Sequence, residues 1–392
     1  MMNDDVAYGQ TTLPIGIRSR FVQNVNGITM HLLEAGFETP GRACIVLLHG
    51  FPELAYSWRK VMLPLAEAGY HVVAPDQRGY GRTDGTDVQF DDSLWPYTLL
   101  NHVRDTLALV YALGYRSVAA VAGHDYGSPV AAWCALARPD VFRSVSLMNA
   151  PFDGAPSLPF DTADAPPPTA PPAAGPTIHD DLAALDPPRK HYHWYYSTRP
   201  ANEDITHPAQ GVHDFMRAYY HMKSADWPRN RPFPLTAWSA AELAKLPRYY
   251  VMDLDKTMAE GVAAEMPSPA AIAACTWMTD EEMAVYSSEY GRNSFQGGLQ
   301  SYRVGTDPKY SEEPRLFAGR AIDVPACFIG GKSDWGVYQR AGRLEAMQQT
   351  ACTDFRGTHL VDGAGHWVQQ EQPESVSRLL LDFLKEQPRS SQ

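Results

Sequence analysis

The sequence of 392 residues is 44% hydrophobic and 20% charged, which fits a globular protein with one large α/β domain and an insertion, or with two domains. Its formal net charge of -12 argues against nucleic acid or an anionic membrane surface as a partner. No apolar run approaches the ~20 residues of a membrane helix, and the acidic start, MMNDDVAYGQTTLP, is not typical of a secretory signal. Five scattered cysteines without a C-x-x-C pair favour reduced thiols in a cytoplasmic protein over disulfides or a zinc site.

Short apolar runs alternate with amphipathic runs in the first part of the chain. The runs that we predict to be buried strands are CIVLLHG (44–50), HVVAPDQRG (71–79), SVAAVAGHD (117–125) and RSVSLMNAP (143–151). Between the second and the third, NHVRDTLALVYALGY has apolar residues at helical spacing and stops at Gly114. This β-α alternation predicts a mostly parallel sheet flanked by helices.

The alternation then breaks and later returns. Residues 155–176 are rich in proline and alanine, which predicts an irregular or disordered spacer. A helical, aromatic-rich region follows, after which VPACFIGG (324–331), THLVDGAGH (358–366) and the closing run ESVSRLLLDFLKEQ resume the α/β pattern. We therefore predict a core made of residues 1–152 and 306–392, interrupted by an insertion at 153–305.

The segment GHDYGS, residues 123–128, lies between a predicted strand and a helix-like run. Its glycines bracket a tight turn, which is the layout of a nucleophile elbow, G-x-S-x-G, with Asp125 in place of the serine. A carboxylate gains little by attacking an ester, because the product would be an anhydride. Asp125 suits displacement at an sp³ carbon, such as an epoxide carbon or one bearing halide, and this reaction leaves an alkyl ester of Asp125.

A hydrolase of this design needs an acid and a histidine base, in the chain order nucleophile, acid, histidine. His366 in DGAGHWVQQEQP lies just past the last predicted strand, where its loop overhangs the elbow. Asp334 in GGKSDWG follows the penultimate strand and is the predicted acid, with Asp153 as the alternative. Asn149, which follows RSVSLM, cannot ionise.

Two backbone amides are predicted to stabilise the oxyanion that forms when water attacks the ester. One belongs to Phe51 in the loop HGFPE (49–53), and the other belongs to Tyr126, which directly follows the nucleophile. His49 and Pro52 are predicted to shape that loop.

Taken together, these motifs resemble the α/β-hydrolase superfamily and, within it, the epoxide hydrolase group. The similar segments are HGFPE, DQRGYGRTDG, GHDYGS, GKSDWG and GAGHWVQQEQP, on both sides of the insertion. The resemblance implies an α/β-hydrolase fold with an inserted helical cap, in which two cap tyrosines hydrogen-bond to the epoxide oxygen. Tyr302 in NSFQGGLQSYRVG resembles the second tyrosine motif. Tyr192 in HYHWYYSTRP resembles the first, with Tyr195 as the alternative.

The leaving group distinguishes two enzyme classes. An alkoxide released from an epoxide must be protonated, which phenols such as Tyr192 and Tyr302 can do. Haloalkane dehalogenases typically place Trp directly after the nucleophile and fluoroacetate dehalogenases place Arg, whereas this chain has Tyr126. We therefore predict hydrolysis of an epoxide to a vicinal diol. A dehalogenase of a haloalkane or haloacid is the alternative, and a non-catalytic ligand-binding protein is the remote one.

The predicted partner is a small epoxide, apolar or aromatic in character because the inserted region is rich in aromatic residues. No cofactor, metal, nucleic acid or membrane is expected, and a homodimer stays open. The sequence does not identify the natural substrate.

Overall fold

A computed structural model describes residue 9 and residues 11–157 and 177–386. The described residues contain ten strands: β1 (Ile17–Val25), β2 (Ile28–Ala35), β3 (Cys44–Leu48), β4 (His71–Pro75), β5 (Ala120–His124), β6 (Val145–Met148), β7 (Arg189–His191), β8 (Val251–Asp253), β9 (Ala326–Gly331) and β10 (Phe355–Val361).

Eight of these strands form one sheet in the order β1-β2-β4-β3-β5-β6-β9-β10. Every pair from β4 to β10 is parallel, whereas β1 pairs antiparallel with β2 and β2 with β4. Strands β3, β4 and β5 are buried along their whole length, as continuous apolar runs predict for a sheet covered on both faces. The predicted mostly parallel sheet is therefore confirmed, and it includes the runs SVAAVAGHD and VPACFIGG on either side of β6.

The β1–β2 hairpin is an addition to the strands predicted from the sequence, which begin at residue 44. Its turn contains Asn26 with a φ of 48° and Gly27 with a φ of 80°. Asn-Gly is the typical dipeptide of a two-residue hairpin turn, because both of its residues tolerate a positive φ. The turn signal is therefore present, but the strands beside it carry many polar residues.

Helices cover both faces of the sheet and fill the insertion. In chain order they are α1 (Arg59–Glu67), α2 (Leu99–Ala112), α3 (Gly127–Ala137), α4 (Ile178–Ala183), α5 (Tyr192–Tyr196), α6 (Pro200–Thr206), α7 (Gly211–Lys223), α8 (Ala240–Leu243), α9 (Met258–Ala263), α10 (Pro269–Ala274), α11 (Asp280–Asn293), α12 (Gln296–Thr306), α13 (Arg343–Ala346), α14 (Val368–Glu371) and α15 (Pro373–Lys385). Within the part of the chain that the structure describes, none of them is long and apolar enough to cross a membrane.

The insertion between β6 and β9 contains α4 to α12 together with a small antiparallel sheet, β7 and β8. This two-stranded sheet differs from the purely helical insertion predicted from the sequence. An ion pair between Arg189 and Asp253, 3.3 Å apart, joins the two strands, which are only three residues long. Most of the predicted proline-rich spacer, residues 158–176, lies outside the described residues, and the boundaries at 153 and 305 stay predictions.

Candidate active site

The turn between β5 and α3 holds Asp125 in a left-handed backbone conformation, with a φ of 52°. Glycine is required on both sides of it. A Cβ at Gly123 would lie 2.0 Å from the carbonyl oxygen of Gly127, and a Cβ at Gly127 would lie 2.3 Å from that of Leu48. Such a strained turn is typical of a nucleophile elbow and presents its side chain at the carboxyl end of the sheet.

His366 lies between two carboxylates. Its Nε2 is 3.1 Å from Oδ2 of Asp125, and its Nδ1 is 3.2 Å from Oδ1 of Asp334. His366 and Asp334 are buried, while the Asp125 side chain keeps 17% of its surface exposed. The elbow and the loops that follow β9 and β10 thus bring together the three side chains that the sequence predicted as nucleophile, acid and base.

Asp334 is held in place by two donors. The side-chain amide of Asn149 donates to its Oδ2 at 2.8 Å, and the backbone N–H of Gly336 donates to its Oδ1 at 2.8 Å. Asn149 cannot ionise and so cannot be the acid, but its amide also donates to the carbonyl of His366 at 2.6 Å. The alternative acid, Asp153, instead forms a half-exposed ion pair with Arg343 at 3.1 Å.

The loop that follows β3 packs directly against the nucleophile. The backbone N–H of Phe51 donates to Oδ1 of Asp125 at 2.9 Å, and a Cβ at Gly50 would lie 2.3 Å from the Cβ of Asp125. Tyr126 is the N-cap residue of α3, and its ring lies 5.7 Å from the His102 ring, edge to face. Of the two predicted oxyanion donors, the Phe51 amide therefore already donates to the carboxylate. The Tyr126 amide belongs to the residue that caps α3, directly after Asp125.

Two cap tyrosines converge near Asp125. The rings of Tyr192 and Tyr302 lie 6.0 Å apart, and Tyr302 packs edge-on against Phe51 at 5.3 Å. Burial, and next the charge of Asp125, raises the pKa of both phenols well above its ordinary value. Both are therefore protonated at neutral pH, which is the form that a general acid needs.

The alternative tyrosine, Tyr195, has another partner. Its hydroxyl donates to the Asp204 carboxylate at 2.9 Å, within the inserted region. The Tyr192 hydroxyl instead lies 2.8 Å from Nε2 of His193 and donates to Gln339 at 3.4 Å. His193, the next residue in the chain, is a contact of this phenol that the motif did not indicate.

Comparison with known proteins identifies the family. A family model described as the alpha/beta hydrolase fold matches residues 44–231. Epoxide hydrolase B of Mycobacterium tuberculosis is 31% identical over 374 residues, which are 93% of this chain and 97% of that protein. The chain belongs to the epoxide hydrolase family of the α/β-hydrolase fold. Epoxide hydrolase A of the same organism is 30% identical over 370 residues, covering 94% of this chain and 98% of that protein.

Solved structures agree with this assignment. An epoxide hydrolase from an endophytic Streptomyces is 29% identical with a TM-score of 0.74, covering 95% of this chain and 96% of that chain. Epoxide hydrolase A from Mycobacterium thermoresistibile is also 29% identical, with a TM-score of 0.67 and coverages of 94% and 98%. The predicted α/β-hydrolase fold and epoxide hydrolase activity are confirmed.

The charge of the candidate nucleophile in this epoxide hydrolase depends on its neighbours. Burial by itself raises the pKa of Asp125, but the hydrogen bond and charge of His366, followed by the charges of Lys223 and His124, bring it well below the ordinary range. Asp125 is therefore a carboxylate at neutral pH, as a nucleophile must be. Among the described residues, no group of three or more His, Cys, Asp or Glu side chains is arranged to hold a metal ion.

A second buried pair lies behind the triad. Glu53 and His124 are both fully buried, with Oε2 and Nδ1 2.5 Å apart, and His124 Nε2 donates to the carbonyl of His366 at 2.7 Å. Gln369 donates to the other carboxylate oxygen of Glu53 at 2.8 Å. Burial by itself lowers the pKa of His124, but the Glu53 carboxylate raises it overall, so the pair is ionised.

We expect Glu53→Gln to lower the free energy of unfolding by about 3 kcal/mol, because it removes one partner of a fully buried ion pair. Urea denaturation measures the change. Glu312→Gln is the matched control, since Glu312 pairs with Arg315 at the surface with 63% of its side chain exposed, and this change should leave the unfolding midpoint where it is. Equal midpoints for the two variants would contradict the importance of the buried pair.

Proposed function

We propose that this epoxide hydrolase opens an apolar or aromatic epoxide through an ester of Asp125, which water then cleaves with His366 as the base. The observation that carries the proposal is one imidazole, that of His366, 3.1 Å from the Asp125 carboxylate and 3.2 Å from Asp334. With this spacing, Nε2 of His366 can activate water next to the Asp125 ester, while Asp334 orients the ring through Nδ1.

The first step uses the two oxygens of Asp125 differently. Oδ1 accepts the hydrogen bond from the Phe51 amide, so Oδ2 attacks the epoxide carbon. The carbon–oxygen bond of the ring breaks, and the released alkoxide takes a proton from Tyr192 or Tyr302. The products of this step are a neutral ester of Asp125 and a phenolate.

The second step cleaves the ester. His366 Nε2 takes a proton from water, the hydroxide attacks Cγ of Asp125, and the negative charge develops on Oδ1 beside the Phe51 amide. The Tyr126 amide is the proposed second donor to this oxyanion. Collapse breaks the bond between Cγ and Oδ2 of Asp125, and Oδ2 takes the proton from His366 and leaves as one hydroxyl of the diol. The hydroxide oxygen stays on Cγ, and the phenolate recovers the proton that the new carboxylic acid releases.

The substrate class is inferred from the rings around the reacting atoms. Tyr302 packs against Phe51 at 5.3 Å and against Tyr196 at 5.1 Å, and Trp367 packs against His366 at 4.7 Å. Such ring faces favour apolar or aromatic substituents on the epoxide.

A panel of styrene-type, aliphatic and bulky polycyclic epoxides, tested beside haloacetate and haloalkanes, checks this function. We expect diol from the aromatic epoxides with the highest kcat/KM, and no halide release. Halide release without diol would make the protein a dehalogenase. Turnover of none of the compounds would contradict the proposed substrate class.

A further inference from the structure

A buried lysine, Lys223, ends α7 next to the loop that carries His366. It is only 2% exposed, and its Nζ lies over three aromatic rings, 5.2 Å from the centroid of Tyr219, 5.3 Å from that of Tyr250 and 5.2 Å from that of Trp367. Among the described residues, this ammonium forms no ion pair with a carboxylate. A buried charge is costly, and ring faces offset only part of the cost, so its position here calls for a role.

The end of α7 and the His366 loop form one packed unit. The backbone N–H of His366 donates to the carbonyl of Lys223 at 2.8 Å, and a Cβ at Gly365 would lie 2.5 Å from that same carbonyl oxygen. The Trp367 indole stacks on the Tyr220 ring at 3.9 Å and donates to the Tyr220 carbonyl at 2.9 Å. These contacts fix the ammonium relative to the imidazole, and the Trp367 ring adjoins both.

The charged and titratable groups around His366 come from several elements. Asp125 and Asp334 contact its two ring nitrogens, and the protonated His124, paired with Glu53, contacts its carbonyl. On the other side of the loop, the Glu371 carboxyl accepts the amides of Gly365 and Trp367, each at 2.9 Å, and burial raises its pKa to about 8.

The phenols that pack around Lys223 carry no charge. The phenols of Tyr219 and Tyr250 are neutral, because burial raises the pKa of both well above its ordinary value. Burial is the larger effect on the pKa of Lys223 and lowers it from its ordinary value, while the charges of Asp125, Asp334 and Glu53 oppose this lowering. The amino group of Lys223 is therefore held by aromatic rings near the catalytic carboxylates, and in the described part of the chain it forms no ion pair with any of them.

Formation of the ester changes the charge balance around His366. In the resting enzyme both carboxylates beside the imidazole are negative, but alkylation turns Asp125 into a neutral ester. Asp334 then remains as the negative group in contact with His366, and by itself it favours the protonated imidazole. A protonated imidazole cannot accept a proton from water, so a nearby positive charge is useful at this stage.

We propose that Lys223 is a positioning residue for the second half-reaction, whose positive charge offsets that of Asp334 and keeps His366 neutral in the ester intermediate. The inference rests on the proposed roles of Asp125 and His366. It assigns to Lys223 no contact with the substrate, and its effect should be confined to ester hydrolysis.

Lys223→Met tests the inference, because methionine fills the aromatic cage without a charge. Without this positive charge, the Asp334 carboxylate is left unopposed beside the imidazole in the ester, so ester hydrolysis should need a higher pH. In a plot of the rate of ester hydrolysis against pH, we expect the acidic limb to shift to higher pH by about one unit. The rate on the alkaline plateau should stay unchanged. Lys223→Arg retains the charge and should keep the wild-type limb. Single-turnover measurements of ester decay from acidic to alkaline pH give these profiles.

Lys309→Met is the matched control, since Lys309 also lies over two rings, 5.8 Å from Trp95 and 5.4 Å from Tyr310, and it should retain the wild-type limb. An equal loss of rate at every pH in Lys223→Met, or the same shift in Lys223→Arg, would overturn the inference. If Lys223→Met does not fold, Lys223→Gln replaces it in the same comparison. Absence of an ester in every variant would instead refute the proposed function.

Discussion

Asp125→Asn should lower the rate of diol formation by about 10⁴-fold or more, because the neutral amide oxygen is a poor nucleophile and the remaining site offers no substitute. The Phe51 amide that now donates to Oδ1 at 2.9 Å can donate equally to the amide oxygen of asparagine, so the elbow should keep its conformation. Initial rates with a styrene-type epoxide measure the loss, and thermal unfolding checks that the variant folds.

His366→Gln distinguishes the covalent route from direct attack by water. It removes the base and leaves the nucleophile, so the ester should form once and then persist. Intact-protein mass spectrometry should show a gain equal to the mass of one epoxide, and the Asp125→Asn protein should show none. Diol formation by His366→Gln without any adduct would indicate that water attacks the epoxide directly.

Asp153→Asn is the control for the choice of acid. Asp153 is the other carboxylate that the sequence offered, and its half-exposed ion pair with Arg343 places it outside the His366 contacts. We expect this variant to turn over epoxide like the wild type, whereas Asp334→Asn should slow ester hydrolysis, because Nδ1 of His366 loses its carboxylate partner at 3.2 Å.

The parallel part of the sheet could be predicted because its strands are continuous apolar runs. A strand such as Cys44–Leu48 is buried at every position, so its sequence needs no alternation to be recognised. The Ile17–Val25 strand at the sheet edge has buried, intermediate and exposed positions in an irregular order. Several of its polar residues are exposed, so the strand contains no continuous apolar run from which it could be predicted.

The candidate nucleophile and base could be proposed from the sequence because each lies in a local motif. The elbow around Asp125 and the loop ending in His366 are short segments whose chemistry can be recognised without long-range information. Tyr192 and Tyr195 differ only in which way each ring points on one short helix. The partners of the two hydroxyls differ, since Tyr195 donates to Asp204 and Tyr192 lies beside His193 and Gln339, and the sequence alone does not show which ring faces Asp125.

The supporting groups required the structure, because their roles depend on contacts between distant segments. Asn149 orients Asp334 across 185 positions in the chain, and Glu53 pairs with His124 across 71. Lys223 did carry a signal: it lies four residues after Tyr219, on the buried face of α7, where a lysine is rarely placed without a reason. The sequence thus shows that Lys223 is unusual, but its proposed role can be inferred only from its packing near His366.

The two cap tyrosines should show the other large effect. Tyr192→Phe and Tyr302→Phe should each slow ester formation by about 10²-fold, because each removes one donor to the developing alkoxide. The double variant should form almost no ester, since an unprotonated alkoxide is far too basic to leave at neutral pH. Single-turnover measurements separate this step from ester hydrolysis, which neither phenol assists and which should be little changed.

Tyr195→Phe is the matched control on the same helix. Its hydroxyl donates to Asp204 at 2.9 Å, so removing it should leave the rate of ester formation unchanged. If Tyr195→Phe is slow and Tyr192→Phe is not, the two residues exchange roles, and Tyr192 becomes a packing residue. If neither Tyr192→Phe nor Tyr302→Phe slows alkylation by an epoxide, no phenol protonates the leaving oxygen. The same variants should then be tested for halide release, because a halide leaves without a proton and needs neither hydroxyl.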